Sequence, residues 1–189
     1  MKLSRAIVST PLGDMLALSS DEGLCALEFV GPVNSHRRSS SKTGGRVVRL
    51  ERRLAKWFPP HEIEERESKT ISRTRAWLRA YFDGKSLDMD LPLDLRGAAF
   101  EKKVWKELLR IQPGETTSYG AIAKKLGSPG ASRAVGLANG ANPIAIVVPC
   151  HRVIGSTGSL TGYGGGLERK TWLIDHERRW RSDALKFEV

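Results

Sequence analysis

The chain has 189 residues, 40% of them hydrophobic, and its 31 Lys and Arg outnumber its 21 Asp and Glu to give a net charge of +10. This length suits one ordinary domain or two small ones, and it can bury a core without disulfide or metal staples. The two cysteines, Cys25 and Cys150, form no CxxC pair, which excludes a disulfide scaffold or a cysteine zinc knuckle. No signal-peptide or membrane-spanning apolar run is found, so we expect a cytoplasmic protein, or a nuclear one in a eukaryote.

The basic charge is concentrated in the second half of the chain. Residues 96–181 hold 14 basic and 6 acidic side chains, a net of +8, whereas residues 1–95 have a net of +3. A generally basic surface explains this excess, and so does a polyanionic partner whose phosphates Lys and Arg neutralise. Charge alone does not distinguish nucleic acid from an acidic protein or a lipid surface.

The first half has the pattern of an α+β domain in which strands precede helices. Short β-type runs broken by turn residues predict strands over 5–30, and the spacing of apolar residues predicts helices over 47–58 and 71–82. The polar stretch 34–46 predicts a mobile loop. The acidic stretch 62–67 predicts a solvated loop or the start of a helix.

The extended segment 86–97, which contains a proline, predicts a boundary between two domains. We therefore assign 1–95 to an N-terminal α+β domain, 96–181 to a mostly helical C-terminal domain and 182–189 to a C-terminal tail. The C-terminal domain begins with a predicted helix over 99–110, where apolar residues repeat at helical spacing.

Two short helices follow, and together they predict a helix-turn-helix. Thr116, Thr117 and Ser118 offer an N-cap for a helix that ends at Gly127, and the turn 128–130 leads into a second helix over 131–141. This second helix consists mainly of Ala, Gly, Ser and Asn and has one basic residue, Arg133. Small side chains allow tight packing on another helix or close approach to a narrow nucleic-acid groove, and both interpretations stay open.

The chemistry of the chain is concentrated at one cysteine. Cys25 lies in an apolar strand-like run and is predicted to be a small buried side chain. Cys150, by contrast, follows the apolar run 144–148 and directly precedes His151, a base that could keep the thiol ionised. Side chains of strand neighbours point apart, so the pair would communicate through a water. The dipeptide His176-Glu177 offers a carboxylate that could orient His151, although adjacent Cys and His also occur by chance.

The run PCHRV at 149–153 resembles the active-site signature of the O6-alkylguanine-DNA alkyltransferases, also called methylated-DNA–protein-cysteine methyltransferases. The resemblance extends to TTSYGAIA at 116–123, to SRAVGLANGANPIAIVVPCHRVIG at 132–155 and to GYGGGLERKTWLIDHE at 162–177. It covers the C-terminal half densely and in order. The N-terminal half is similar more loosely, mostly through STPLGDMLALSSDEGLCALEF.

The resemblance implies a two-domain fold. The N-terminal domain would be α+β and ribonuclease-H-like, with an antiparallel sheet and helices. The C-terminal domain would be mostly α-helical and winged-helix-like, with its helix-turn-helix laid in the minor groove of DNA.

The resemblance also implies a role for each matching residue. Cys150 would take the alkyl group from guanine O6, and His151 would keep Cys150 ionised through a water. Glu177 and Asn142 would orient and support that pair, and Arg133 would fill the space left by the extruded nucleotide. The remaining implied contacts to the base, its phosphate or the groove come from Tyr119, Ala131, Ala134, Gly136, Val153, Tyr163 and Gly164.

The predicted function is the irreversible, single-turnover repair of O6-alkylguanine, and also of O4-alkylthymine, in double-stranded DNA. The protein is expected to be a monomer that binds DNA without sequence specificity, can cluster on it and contacts no membrane. No cofactor or metal is expected, because the first 95 residues offer only Cys25, His36 and His61 as zinc ligands. A non-catalytic lesion-binding protein and a Cys-His hydrolase are the alternatives; Cys150 argues against the first, and the second leaves Arg133 without a role.

Overall fold

The computed structural model describes residues 1–31, 42–85 and 89–186, with the side chains of all of these except 42–49 and 181–186. The chain divides into two compact units, Met1–Gly97 and Ala98–Val189. None of the described helices is both long enough and apolar enough to cross a membrane.

The first unit contains a four-stranded sheet. Its strands are β1 (Lys2–Val8), β2 (Met15–Ser19), β3 (Leu24–Phe29) and β4 (Glu62–Glu65), in the spatial order β3-β2-β1-β4. The first three confirm the strands predicted over 5–30, and their two pairings are antiparallel.

The fourth strand corrects two predictions. Residues Glu62–Glu65 pair in parallel with β1, so the sheet is mixed rather than antiparallel, and the acidic stretch is neither a loop nor the start of a helix. This edge strand carries glutamates that form ion pairs with the neighbouring strand, Lys2 with Glu64 and Arg5 with Glu65. Cross-strand pairs of opposite charge stabilise a strand whose own sequence looks solvated.

Two helices accompany the sheet: α1 (Lys42–Trp57) and α2 (Lys69–Phe82). Both confirm predicted helices, but α1 begins earlier than expected, so the loop prediction is wrong for 42–46; residues 32–41 lie outside the described part. The apolar face of α1 packs into a buried cluster. Its members are Leu3, Leu18, Cys25, Ala26, Leu50, Leu54 and Phe58.

The described part of the connector, 89–97, belongs to the first unit. Leu93 forms a parallel bridge with Leu24, and the amide of Leu24 donates a hydrogen bond to Pro92 O at 2.8 Å. A Cβ at Gly23 would lie 2.5 Å from Pro92 O, so only glycine permits this close approach. Residues 86–88 lie outside the described part.

The second unit is mostly helical, as predicted. Its helices are α3 (Ala99–Leu108), α4 (Tyr119–Lys125), α5 (Ser132–Gly140) and α6 (Leu167–Lys186). Two very short strands, β5 (Thr117–Ser118) and β6 (Val153–Ile154), pair in parallel. The hydroxyl of Ser118 accepts a hydrogen bond from the amide of Ala121 at 3.1 Å, so Ser118 is the N-cap among the three predicted candidates. The residues assigned to a tail continue α6 as far as Lys186.

Helix α5 packs against both α3 and α4. Its buried side consists of Val135, Ala138 and Asn139. Because Ala138 is small, the indole of Trp105 on α3 approaches closely enough to donate a hydrogen bond from Nε1 to Ala138 O at 2.9 Å. Tight packing therefore explains the small residues on the inner side of α5 but not those on its outer side.

Candidate active site

The backbone that leads to Cys150 is a series of tight turns rather than a strand. The amide of Val147 donates to Ala145 O at 2.9 Å, and the amide of Cys150 donates to Val148 O at 2.8 Å. These three-residue γ-turns centre on Ile146 and Pro149. Ile146 has a φ of 69°, the left-handed region that a β-branched residue adopts at a cost of about 1–2 kcal/mol. The surrounding contacts must therefore hold this segment in place.

Two asparagines provide such contacts. Asn142 Nδ2 donates to Val148 O at 2.7 Å, and Asn142 Oδ1 accepts from the amide of Ile144 at 3.0 Å. Asn139 Nδ2 donates to Cys150 O at 3.3 Å. Asn142 thus braces the backbone before the cysteine, and its hydrogen bonds within the described chain go to that backbone rather than to His151 or Glu177.

Cys150 and His151 lie on a single 3-10 turn (Cys150–Arg152). Cys150 is 7% exposed, and His151 is fully buried. His151 Nε2 lies 2.9 Å from Glu177 Oε1 on α6, whereas Nδ1 makes no hydrogen bond to any part of the chain that the structure describes. Since a carboxylate only accepts, Nε2 carries the proton and Nδ1 carries the lone pair. The imidazole is therefore oriented as a base.

Arg152 and Gly114 also donate hydrogen bonds to the Glu177 carboxylate. Arg152 donates from Nε to Oε2 at 2.8 Å and from Nη2 to Oε1 at 2.9 Å, and the amide of Gly114 donates to Oε2 at 3.1 Å. Burial alone would disfavour the charge, but His151 and the charged hydrogen bonds of Arg152 outweigh it and hold the pKa of Glu177 well below its usual range. The carboxylate therefore stays ionised.

The surroundings of His151 favour its neutral form, whereas those of Glu177 favour its charged form. Burial lowers the pKa of His151, and the attraction of Glu177 only partly opposes this effect. The imidazole is therefore neutral near pH 7, while the charge on Glu177 is balanced by Arg152. A neutral base beside a fixed carboxylate can accept a proton and have the resulting imidazolium stabilised at once.

A buried lysine completes the surroundings of Cys150. Lys170 is fully buried, and its Nζ donates to Val153 O at 2.6 Å and to Thr161 O at 2.7 Å. Burial lowers the pKa of Lys170, and the negative charge of an ionised Cys150 opposes that effect. The ammonium thus lies within electrostatic range of the thiol, and it ties β6 to the glycine-rich loop that follows.

Most of the predicted pocket residues surround this loop. Tyr119, at the start of α4, points its hydroxyl towards Thr161 O at 3.4 Å, and the ring of Tyr163 meets the ring of His151 edge-on at 6.5 Å between centroids. Val153 is buried in β6, and Gly164 lies exposed on the loop. His176, in contrast, stacks on Trp172 at 4.7 Å and does not join the His151–Glu177 pair.

The predicted groove residues lie on α5. Arg133 and Ala134 are exposed, and the side chain of Arg133 makes no hydrogen bond or ion pair with any residue in the described ranges. Ala131 is half-buried at the N-cap position, and Gly136 lies beside the ring of Tyr119, 3.8 Å from where a Cβ would be. The exposed side of α5 therefore presents Arg133 next to the small side chain of Ala134.

The family relationship is decided by comparisons with known proteins. The profile of the "6-O-methylguanine DNA methyltransferase, ribonuclease-like domain" matches residues 3–95, and that of the "DNA binding domain" of the same family matches residues 99–179. A methylated-DNA–protein-cysteine methyltransferase of Methanosarcina acetivorans is 40% identical over 172 residues, which cover 91% of this chain and 96% of the relative. The chain belongs to the methylated-DNA–protein-cysteine methyltransferase family.

Other relatives agree with this assignment. The family member of Mycolicibacterium paratuberculosis is 64% identical over 108 residues, which cover 57% of this chain and 66% of the relative. The match to the family member of Mycobacterium bovis covers 61% of that relative's length. The crystal structure of Mycobacterium tuberculosis OGT in complex with DNA is 39% identical and has a TM-score of 0.72, covering 95% of this chain and 94% of that chain.

Sequence reasoning missed three contributors to this methyltransferase-family site: Arg152, Gly114 and Lys170. Arg152 appeared in the sequence only as part of the PCHRV signature, which gave it no role of its own. No local sequence pattern identifies the amide of Gly114 as a hydrogen-bond donor of the site. A signal did exist for Lys170, because Lys170 and Glu177 are seven residues apart on α6 and lie on one face with the buried Leu173. A charged residue in register with a buried helical face indicates an internal partner.

Proposed function

We propose that this family member repairs alkylated DNA by direct reversal, moving the alkyl group from guanine O6 in duplex DNA to Cys150 once per molecule. The observation that supports this most strongly is the surroundings of the Cys150 thiol, where a neutral His151 is oriented by an ionised Glu177. O4-alkylthymine is the second substrate that we propose.

The chemistry needs only groups of the chain, one water and the substrate. The thiol proton of Cys150 passes through a water to His151 Nδ1, and Glu177 stabilises the imidazolium. The thiolate then attacks the carbon bound to O6, so that the S–C bond forms while the C–O6 bond breaks and its electron pair stays with the base. The base takes up one proton, which balances the proton that Cys150 gave to His151, and remains in the DNA strand as unmodified guanine. The product thioether is a poor leaving group, which makes the protein a reagent consumed by one reaction.

The second unit would supply DNA binding through α4 and α5 as a helix-turn-helix of winged-helix type. An alkylated O6 is inaccessible within a duplex, so the nucleotide must be extruded at a cost of a few kcal/mol. We assign Arg133, exposed on α5, to the space left in the stack, and Tyr119 to the displaced nucleotide. The net charge of +8 over 96–181 supports binding to phosphates without sequence specificity, by a monomer that can cluster on the duplex.

The decisive experiment is intact-mass analysis after incubation with a duplex that contains O6-methylguanine. We expect one methyl group per protein molecule, located on Cys150 by peptide mapping. Cys25→Ala is the matched control and should still be methylated, whereas Cys150→Ala should not. Tight binding to the lesion without a covalent adduct would instead favour a non-catalytic lesion-binding protein.

Extrusion is tested by comparing two substrates. Arg133→Ala should slow repair of the duplex far more than reaction with the free alkylated base, because the free base needs no extrusion. Arg133→Lys keeps the positive charge, and its rate of duplex repair should lie between those of the wild-type protein and Arg133→Ala. An equal loss on both substrates would remove Arg133 from this role.

A further inference from the structure

Asn139 is a polar residue on the buried side of α5. It is 4% exposed, and the other two residues buried on that side, Val135 and Ala138, are apolar. Its Nδ2 donates a hydrogen bond to Cys150 O at 3.3 Å. Because a carbonyl oxygen only accepts, this contact fixes which end of the amide carries the nitrogen. The other end of the Asn139 amide, Oδ1, is therefore a buried acceptor.

This acceptor differs from its counterpart on Asn142. Asn139 Oδ1 accepts no hydrogen bond from the part of the chain that the structure describes, whereas Asn142 Oδ1 accepts one from the amide of Ile144. A buried polar atom without a partner costs free energy, so nearly all such atoms in native proteins bind the chain or an ordered water. Asn139 Oδ1 therefore indicates a donor that the described residues do not supply.

The proton path from Cys150 contains a second acceptor of this kind. His151 Nδ1 is also buried, and within the described ranges it accepts no hydrogen bond either. The oxygen and nitrogen of an amide are about 2.2 Å apart, so Asn139 Oδ1 lies within about 5.5 Å of Cys150 O. That carbonyl belongs to the peptide bond that joins Cys150 to His151. Both acceptors therefore belong to the immediate surroundings of the reacting cysteine.

We propose that Asn139 is a positioning residue of the alkyl transfer, and that its Oδ1 holds the water through which Cys150 passes its proton to His151. The inference rests on the proposed function, which routes that proton through a water. The thiol proton moves to the water as the water gives one of its hydrogens to His151 Nδ1, so the water is restored. Its other hydrogen takes no part in the transfer and is accepted by Asn139 Oδ1. The nitrogen of the same amide holds the backbone of Cys150.

A purely structural role for Asn139 would have a different signature. Loss of packing, or of the hydrogen bond to Cys150 O, would lower stability or slow the reaction of Cys150 by the same factor at every pH. Loss of the acceptor for the water weakens proton transfer to His151, so the thiol ionises at higher pH. The rate is then lost below the midpoint of thiol ionisation and retained above it, where the thiolate forms without help.

The test measures the rate at which iodoacetamide modifies Cys150 between pH 5 and pH 10 in a Cys25→Ala background. Asn139→Leu keeps the volume of the side chain and removes both polar ends. It should raise the midpoint of the profile by about one pH unit, which slows modification about 10-fold below the midpoint and leaves it unchanged above. Val135→Ala, which weakens packing on the same buried side of α5, is the matched control and should leave the midpoint unchanged.

A second variant covers the case in which Asn139→Leu does not fold. The hydroxyl of Asn139→Ser still binds a water, so the midpoint should rise by less than one unit. An unmoved midpoint in the folded variant, a rate lowered by the same factor at every pH, or an equal shift in Val135→Ala would overturn the inference. A wild-type protein that stays unmethylated by a lesion-containing duplex would instead reject the proposed function. The two failures are distinguishable, because modification by iodoacetamide needs no alkylated DNA.

Discussion

The two cysteines of this chain are almost equally buried and have very different surroundings. Cys25 is 4% exposed within β3, and its thiol points at the carbonyl of Gly23 and at Asp94, with Sγ 3.6 Å and 3.9 Å from the acceptor oxygens. Burial, aided by the charge of Asp94, raises the pKa of Cys25 to about 11. This thiol stays protonated at neutral pH and therefore remains a poor nucleophile.

Cys150 is 7% exposed, but its neighbour in the chain is the base His151, and a cation, Lys170, lies within its electrostatic range. His151 is paired with an ionised Glu177, and Lys170 interacts with the charge of an ionised Cys150. Depth of burial therefore does not distinguish the two thiols. The sign of the neighbouring charges and the presence of a proton acceptor do.

The largest expected effect comes from removing the charge of Glu177. Glu177→Gln leaves Arg152 buried without its carboxylate and should lower the free energy of unfolding by about 3–5 kcal/mol. It should also slow alkylation of Cys150 about 100-fold, since the imidazolium loses its stabilising partner. Urea unfolding and single-turnover kinetics measure the two effects. Glu168→Gln, on the exposed side of the same helix, is the control; equal behaviour of the two variants would contradict the role assigned to Glu177.

Acid should destabilise the second unit through the same groups. His151 has a lowered pKa in the folded state, so its contribution is complete above about 6.5, the ordinary value, and is lost as the pH falls below it. Glu177 also has a lowered pKa, so its contribution is complete above about 4.5 and is lost as the pH falls towards the folded value. We expect the free energy of unfolding to fall by about 2–3 kcal/mol between pH 7 and pH 4. A free energy of unfolding that stays constant or rises on acidification would contradict a neutral His151 and an ionised Glu177 in the folded protein.

Removing the cation tests the other difference between the two cysteines. Lys170→Met should slow alkylation of Cys150 about 10-fold and move its pH–rate profile to higher pH, because the thiolate loses a positive neighbour. The rate of reaction with the free alkylated base, followed from pH 5 to pH 9, measures both effects. Lys124→Met removes an exposed cation as the control. If the reaction is slower but the pH–rate profile does not move, Lys170 does not act through its charge. Its role would then be limited to its hydrogen bonds to Val153 and Thr161.

The smallest effect is expected at Cys25. Cys25→Ala should lower the free energy of unfolding by about 1 kcal/mol, since it removes one buried sulfur from a packed cluster, and should leave the rate at Cys150 unchanged. A thiol reagent added at pH 8 should modify Cys150 in the native protein and reach Cys25 only after unfolding. Modification of Cys25 in the native protein at a rate comparable to that of Cys150 would contradict the expected difference in reactivity between the two thiols.

Much of the fold followed from local sequence patterns. The strands β1 to β3 and the helices α2 and α3 have regular apolar spacing, and the Ser118 cap marks the start of α4. The strand β4 was missed because its stability comes from a parallel partner about 60 residues away, which no local window contains. The early start of α1 was missed because its first turn is polar.

The site divides in the same way. The sequence by itself determined that Cys150 and His151 are neighbours, since they are joined by a peptide bond, and that a Glu at the chain end could serve the pair. Only the tertiary structure decided that Arg152 and Gly114 share the carboxylate of Glu177, and that the buried Lys170 lies within electrostatic range of Cys150. The physical reason is that these contacts join segments 25 to 63 residues apart in the chain, or depend on burial, and both are set by packing rather than by local conformation.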